Sequence, residues 1–300
     1  MSARLHDDEP DTSVGVVRTL LDNQMPRLAG LPLKRLSSTG TDNALYRLGT
    51  SFVVRLPRLV GAARGLTAEI QWLPRLQTHL SVAVPDLVLA GHPSAAYHYP
   101  WAVLGWLDGI DAWAARRHEG WFGSQLGCDL AETVLELRAI PIDNAPPREP
   151  GTRGGPLSAL DDRVRWWLNQ ANGLIDVRAV TRIWEQCLES AAYDAQPTLL
   201  HGDLIPGNLL IDHGRLAAVI DWGGIGAGDP AQDLNPAWSV LDPHGAAAFR
   251  EVIGVDTQTW MRARGFVLEQ AIGGIIYYTS RQHPLADVMR RSLDRLLAGL

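Results

Sequence analysis

Apolar residues recur at three- and four-residue intervals through residues 13 to 28, "SVGVVRTLLDNQMPRL", and that spacing predicts an amphipathic helix. The texture then changes. Two short apolar runs, "ALYRLG" and "SFVVRLP", meet at a Gly-Thr-Ser turn (49 to 51), which is the pattern of a β-hairpin. A polar loop, "SSTGTDN" (37 to 43), precedes the first run. The helical spacing returns in "GLTAEIQWLPRLQTHL" (65 to 80), with a break expected at Pro74. "VPDLVLAGHPS" and "YPWAVLGWLDG" read as two further strands.

From Asp111 onward the pattern is mainly helical, interrupted by the Pro- and Gly-rich loop "PIDNAPPREPGTRGGP" (141 to 156). Amphipathic helices are predicted in "SALDDRVRWWLNQANGLI" and "AVTRIWEQCLESAAY", and again through the last sixty residues. Between them, residues 201 to 224 read as a hairpin. Strands followed by helices imply an α+β fold rather than an alternating parallel sheet. The expected division is a β-rich lobe over 1–102, a connector over 103–109, and a helical lobe over 110–300.

Composition narrows the classes. Hydrophobic residues make up 46% and charged residues 20% of the 300-residue chain, as in globular proteins. No apolar run is long enough to span a bilayer, and "MSARLHDDEPDTS" has no apolar core of a secretory signal. A cytoplasmic protein without a membrane partner is therefore expected. The net charge of −6 argues against a nucleic-acid partner, which needs a basic patch. Cys128 and Cys187 stand far apart in helical stretches and are expected to be reduced thiols. Lys34 is the only lysine among 27 basic residues, so any role requiring lysine has one candidate.

The chemistry concentrates in "HGDLIPGNLLIDHGRLAAVIDWGG" (201 to 224). Asp, Asn and Gly are common turn residues, and that alone accounts for their presence. It does not account for their spacing. Asp203 and Asn208 are five apart across one tight loop, and Asp221 ends the returning strand. Magnesium takes oxygen ligands, usually one or two carboxylates completed by phosphate oxygens and water. Asn208 and Asp221 can supply protein ligands, while Asp203 can accept a proton from an attacking hydroxyl. An Asp, an Asn five later and a second Asp on the next hairpin form a phosphoryl-transfer signature. Protein kinases write it H-R-D-x-x-x-x-N, then D-F-G.

Here the pattern is His201-Gly202-Asp203 with Asn208, then Asp221-Trp222-Gly223, followed by "GAGDPAQDL" (226 to 234). This set resembles the aminoglycoside phosphotransferase family of small-molecule kinases. The resemblance implies a two-lobed, protein-kinase-like fold using Mg²⁺ and ATP or GTP as phosphate donor. Its acceptor would be a small molecule bearing a hydroxyl. It implies that Ser38, Thr39, Gly40 and Thr41 face the phosphates, and that Leu104, Gly105 and Leu107 form the purine-binding hinge. The family's strand lysine is missing. Arg55 in "FVVRLPR" stands at its position, with Glu69 as the expected helix partner. Arginine's planar fork differs from an ammonium, and macrolide phosphotransferase-like sequences often carry arginine there. Asp229 and Asp233 are expected to cap and brace the catalytic loop, and His201 to orient it. Asp108, Asp111, Glu119, Asp256 and Glu269 are candidates to contact a cationic acceptor, or are ordinary surface acids. Two other readings share the motif: a catalytically silent, pseudokinase-like binding protein, and a protein kinase. The absence of an A-P-E segment speaks against the latter.

Overall fold

The structure, a computed structural model, describes residues 9–36, 42–118, 120–171 and 173–299. Its elements group into two compact units. The first comprises residues 1–78, 83–108 and 220–224; the second comprises 79–82, 109–219 and 225–300. The secondary structure is α+β, with a five-stranded sheet early in the chain and helices dominating the remainder.

In the first unit, helices α1 (Val14–Gln24) and α2 (Pro26–Ala29) lead into strands β1 (Leu33–Arg35), β2 (Asn43–Leu48) and β3 (Phe52–Pro57). Helix α3 (Val60–His79) follows, and then β4 (Leu87–Gly91) and β5 (Trp101–Gly105). The sheet order is β1-β2-β3-β5-β4, antiparallel throughout. Period-2 patterning sends Ala44, Tyr46 and Leu48 to the buried face of β2. There they join Val54, Leu56, Trp101 and Val103, and Val17, Leu20 and Leu21 from α1. Each fully buried aliphatic side chain contributes about 1.5–3 kcal/mol relative to exposure.

The break expected at Pro74 is absent: α3 runs unbroken through it. Proline removes one backbone hydrogen bond and costs about 3 kcal/mol inside a helix. Trp72 and Leu73 before it and Leu76 after it are all buried, and their packing holds the helix together.

The second unit begins with β6 (Ile110–Asp111), α4 (Ala112–Ala115), α5 (Ser124–Ala139), α6 (Asp161–Gln170) and α7 (Val177–Leu188). Strands β7 (Thr198–Leu200), β8 (Leu209–Asp212), β9 (Arg215–Val219) and β10 (Gly226–Gly228) follow, and then α8 (Pro236–Ser239), α9 (Pro243–Ile253), α10 (Thr257–Thr279) and α11 (Leu285–Leu297). Strands β8 and β9 form the expected hairpin, turning through His213 and Gly214 with positive φ, as two-residue hairpin loops require. The α10 helix is the centre of the unit and is buried on most sides. Helices α5 and α9 approach closely at Gly127, where a Cβ would lie 2.2 Å from the Gly245 carbonyl oxygen. The loop at 141–156 is less irregular than its composition suggested. Arg148 N–H donates to the Ala227 carbonyl (2.9 Å) and Ala227 N–H to Pro146 (2.8 Å), so the loop is tied to β10. Among the described residues no helix is long and apolar enough to cross a membrane. Both cysteines are free, and burial pushes the Cys187 thiol up to about 12.

Candidate active site

The loop after β7 is held in shape by a carboxylate placed under its backbone. Asp233 accepts the N–H groups of His201 (2.7 Å) and Gly202 (2.8 Å), and Gln232 Nε2 donates to the Gly202 carbonyl (3.2 Å). Gly202 has φ +82°, a conformation that favours glycine. His201 is fully buried, and its Nδ1 accepts the Asp203 N–H at 3.2 Å. It orients the loop. Asp229 caps the next turn through Ala231 N–H (3.0 Å) and pairs with Arg262 Nε at 2.6 Å.

That brace presents Asp203 to two amides. Asn208 ends the 3-10 turn Pro206–Asn208, and its Nδ2 donates to the Asp203 carbonyl (2.9 Å) and to Asp203 Oδ2 (3.2 Å). Gln270, on α10, donates from Nε2 to Asp203 Oδ1 at 3.0 Å. With its nitrogen committed to Asp203, Asn208 has its amide oxygen to offer a cation. Nothing in the local motif pointed to Gln270, because it lies 67 residues downstream.

The first unit holds the other predicted group. Arg55, 7% exposed on β3, donates from Nη1 to Glu69 Oε2 on α3 (2.6 Å) and from Nη2 to Asp221 Oδ1. With the Asn43 amide turned so that its oxygen faces the guanidinium, that oxygen accepts from Arg55 Nε (3.3 Å) and Nη2 (3.0 Å). Burial alone would weaken the Arg55 charge, but Asp221 and Glu69 outweigh it and raise its pKa. At Glu69 burial outweighs the lowering effect of Arg55, and the carboxyl is raised to about 7. Asp221 sits at φ +64° with a side chain 43% exposed. Non-glycine residues in this region cluster at functional sites.

Of the residues expected at the purine, Leu104 is 3% exposed and pairs with Val53 and Leu87. Gly105 N–H donates to the Asp86 carbonyl and Trp106 N–H to that of Ser51, both at 2.8 Å. Leu107 lies just beyond the strand, half-buried. Ser38, Thr39, Gly40 and Thr41 lie outside the described residues, as does Glu119. The other acids have structural partners. Asp108 accepts from Trp106 Nε1 (2.9 Å), Asp111 caps α4 through Ala114 N–H (2.9 Å), and Asp256 caps α10 through Thr259 N–H (2.6 Å). Glu269, 1% exposed, is clamped by Arg153 (2.9 Å) and Arg163 (2.7 Å).

Among the described residues no cluster of three or more His, Cys, Asp or Glu side chains forms a cage for a metal. A magnesium ion bound with phosphate oxygens needs no such cage. Carboxylate and amide oxygens are hard donors of the right kind.

Residues 33–266 match the model of the phosphotransferase enzyme family, APH. An aminoglycoside 3′-phosphotransferase of Escherichia coli is 30% identical over 115 residues, which span 37% of this chain and 42% of that protein. A second from the same organism is 27% identical over 192 residues, 60% of this chain and 65% of the relative. The matched stretches thus cover less than two thirds of these relatives. Among solved structures, the GDP and kanamycin complex of an APH(2″) aligns with TM-score 0.72 at 20% identity, covering 94% of this chain and 97% of that one. The apoenzyme of a macrolide 2′-phosphotransferase from Brachybacterium faecium aligns with TM-score 0.61 at 20% identity, covering 92% and 96%.

Proposed function

The chain belongs to the phosphotransferase enzyme family, and we propose that it is a small-molecule kinase moving the γ-phosphoryl group of ATP or GTP to a hydroxyl. The observation that carries this reading is the setting of Asp203. The backbone just before it is braced by Asp233 and its carboxylate is oriented by two neutral amides. A carboxylate so held can accept a proton from a hydroxyl brought against it. Asn208 and Asp221 are the residues that would hold Mg²⁺, whose chemistry is to neutralise charge on the transferred phosphoryl group.

Arg55 supplies a fixed positive charge for the nucleotide phosphates. Its arm on Glu69 anchors it, and the arm that now holds Asp221 is the one available to phosphate oxygens. By resemblance to the family, Ser38, Thr39, Gly40 and Thr41 are assigned to those phosphates. Leu104, Gly105 and Leu107 border the purine, with Gly105 contributing its carbonyl because its N–H is already bonded. The acceptor is an antibiotic of aminoglycoside or macrolide type, or a related metabolite. Asp111, Asp256 and Glu269 already hold backbone amides or arginines, which favours a weakly cationic acceptor over a polycation.

The test is Asp203→Asn. Turnover should fall by about 10²–10⁴, while nucleotide affinity, measured calorimetrically, stays within about twofold. Equal loss of both would sink the assignment. A silent binding protein is the second reading, and the engagement of Arg55 by Glu69, Asp221 and Asn43 favours it. Mg²⁺-dependent consumption of ATP or GTP by pure protein, screened against hydroxyl-bearing antibiotics and sugars, separates the two.

A further inference from the structure

We propose that Gln270 is a positioning residue for the reaction: it fixes the orientation of the Asp203 carboxylate. The proposal rests on the reading of Asp203 as the base. A carboxylate rotates about its terminal torsion with broad preference, so one hydrogen bond does not define its plane. Asn208 reaches Oδ2 from the loop itself (3.2 Å) and Gln270 reaches Oδ1 from α10 (3.0 Å). Two donors on different oxygens, from different elements, fix the plane that one alone leaves free.

Gln270 is in turn oriented. Asn235 Nδ2 donates to Gln270 Oε1 at 2.5 Å, and an amide whose oxygen is engaged by a donor presents its nitrogen elsewhere. Here that nitrogen meets Asp203. Gln270 is 5% and Asn235 3% exposed, so neither side chain is free to turn in solvent. Asn235 also lies two residues beyond Asp233, which holds the backbone of the same loop. One short segment therefore sets the backbone ahead of the base through Asp233 and, through Asn235 acting on Gln270, its carboxylate plane.

The experiment uses Gln270→Met and Gln270→Glu in the full chain. Both keep the length of the side chain. The assay is Mg²⁺-dependent hydrolysis of ATP or GTP with water as acceptor, together with nucleotide affinity and Tm. The methionine variant should lose about tenfold or more in kcat, with nucleotide KM within about twofold. The glutamate variant, with a carboxylate facing Asp203, should lose more. In an Asp203→Asn background, adding Gln270→Met should have no further effect, since residues acting through one another are non-additive. The proposal is overturned if hydrolysis is unchanged in Gln270→Met, as a pure acceptor-binding role requires. It is equally overturned if Gln270→Glu is the more active variant, or if the two losses simply add. Should Asp203→Asn itself retain full turnover, the reading of the base fails and takes this inference with it. A dead Asp203→Asn beside a fully active Gln270→Met removes this inference alone.

Discussion

Arg55 and Asp203 are each held by partners from distant stretches of chain, but the partners differ in kind. Arg55 is fixed by carboxylates, Glu69 and Asp221. Asp203 is fixed by amides, Asn208 and Gln270. The anionic neighbours of Arg55 raise its pKa despite burial. The Asp203 carboxylate takes its direction from neutral amides, with Arg148 and Arg153 acting on it electrostatically from farther off. One side chain is thus held mainly by charge and the other by the direction of its hydrogen bonds.

The comparison breaks most visibly at the buried charges. Arg55→Met leaves Glu69, fully buried, without its cation, and removing one partner of a buried pair costs about 3–5 kcal/mol. Urea unfolding should show that loss, and adding Glu69→Gln should restore much of it. If Arg55→Met costs no more than Gln270→Met, the distinction between the two settings is false. Asp233→Ala comes next. It strands the buried N–H groups of His201 and Gly202, at about 2–3 kcal/mol in total, and should lower kcat by misplacing Asp203.

Arg55→Lys sharpens the comparison. An ammonium keeps the charge but has no fork, so it can hold Glu69 or Asp221 well, not both. About 1–2 kcal/mol of stability should be lost, and a rise in nucleotide KM is expected. The smallest effect belongs to Asp129, which accepts from Arg215 Nε (2.8 Å) and Leu216 N–H (3.0 Å) at the edge of the hairpin. Burial alone would raise its pKa, but the Arg215, Leu216 and Gln125 hydrogen bonds hold it below the usual carboxylate value. A depressed folded pKa means stability that is present above the unfolded carboxylate pKa and is lost as pH falls through the folded one. Asp129→Asn should therefore show a shallow drop in Tm at neutral pH, vanishing in acid.

What could be read in advance was local. The β2–β3 and β8–β9 hairpins follow from alternation and turn residues, and Asp203 with Asn208 follows from a five-residue spacing. Arg55 with Glu69 came from the family resemblance, not from the residues alone. The rest depends on chain segments that only the fold brings together. Gln270, Asn235 and Asn43 are ordinary polar residues without a flanking motif, and Arg55 meets Asp221 across 166 positions. Strand β10 is Gly-Ala-Gly, which has no side-chain alternation to read. Pro74 misled for the opposite reason, because a local rule was outweighed by packing on both sides of it.

The five residues Ile220–Gly224 group with the first unit, although the chain on either side of them belongs to the second. A polypeptide ending at residue 108 would contain the five-stranded sheet, Arg55 and Glu69, yet would lack Asp221. Swapping residues 1–108 between relatives would set the arginine against the recipient's own 220–224 segment instead of the one it packs with here. A chimera built from this protein needs the 220–224 segment exchanged along with residues 1–108.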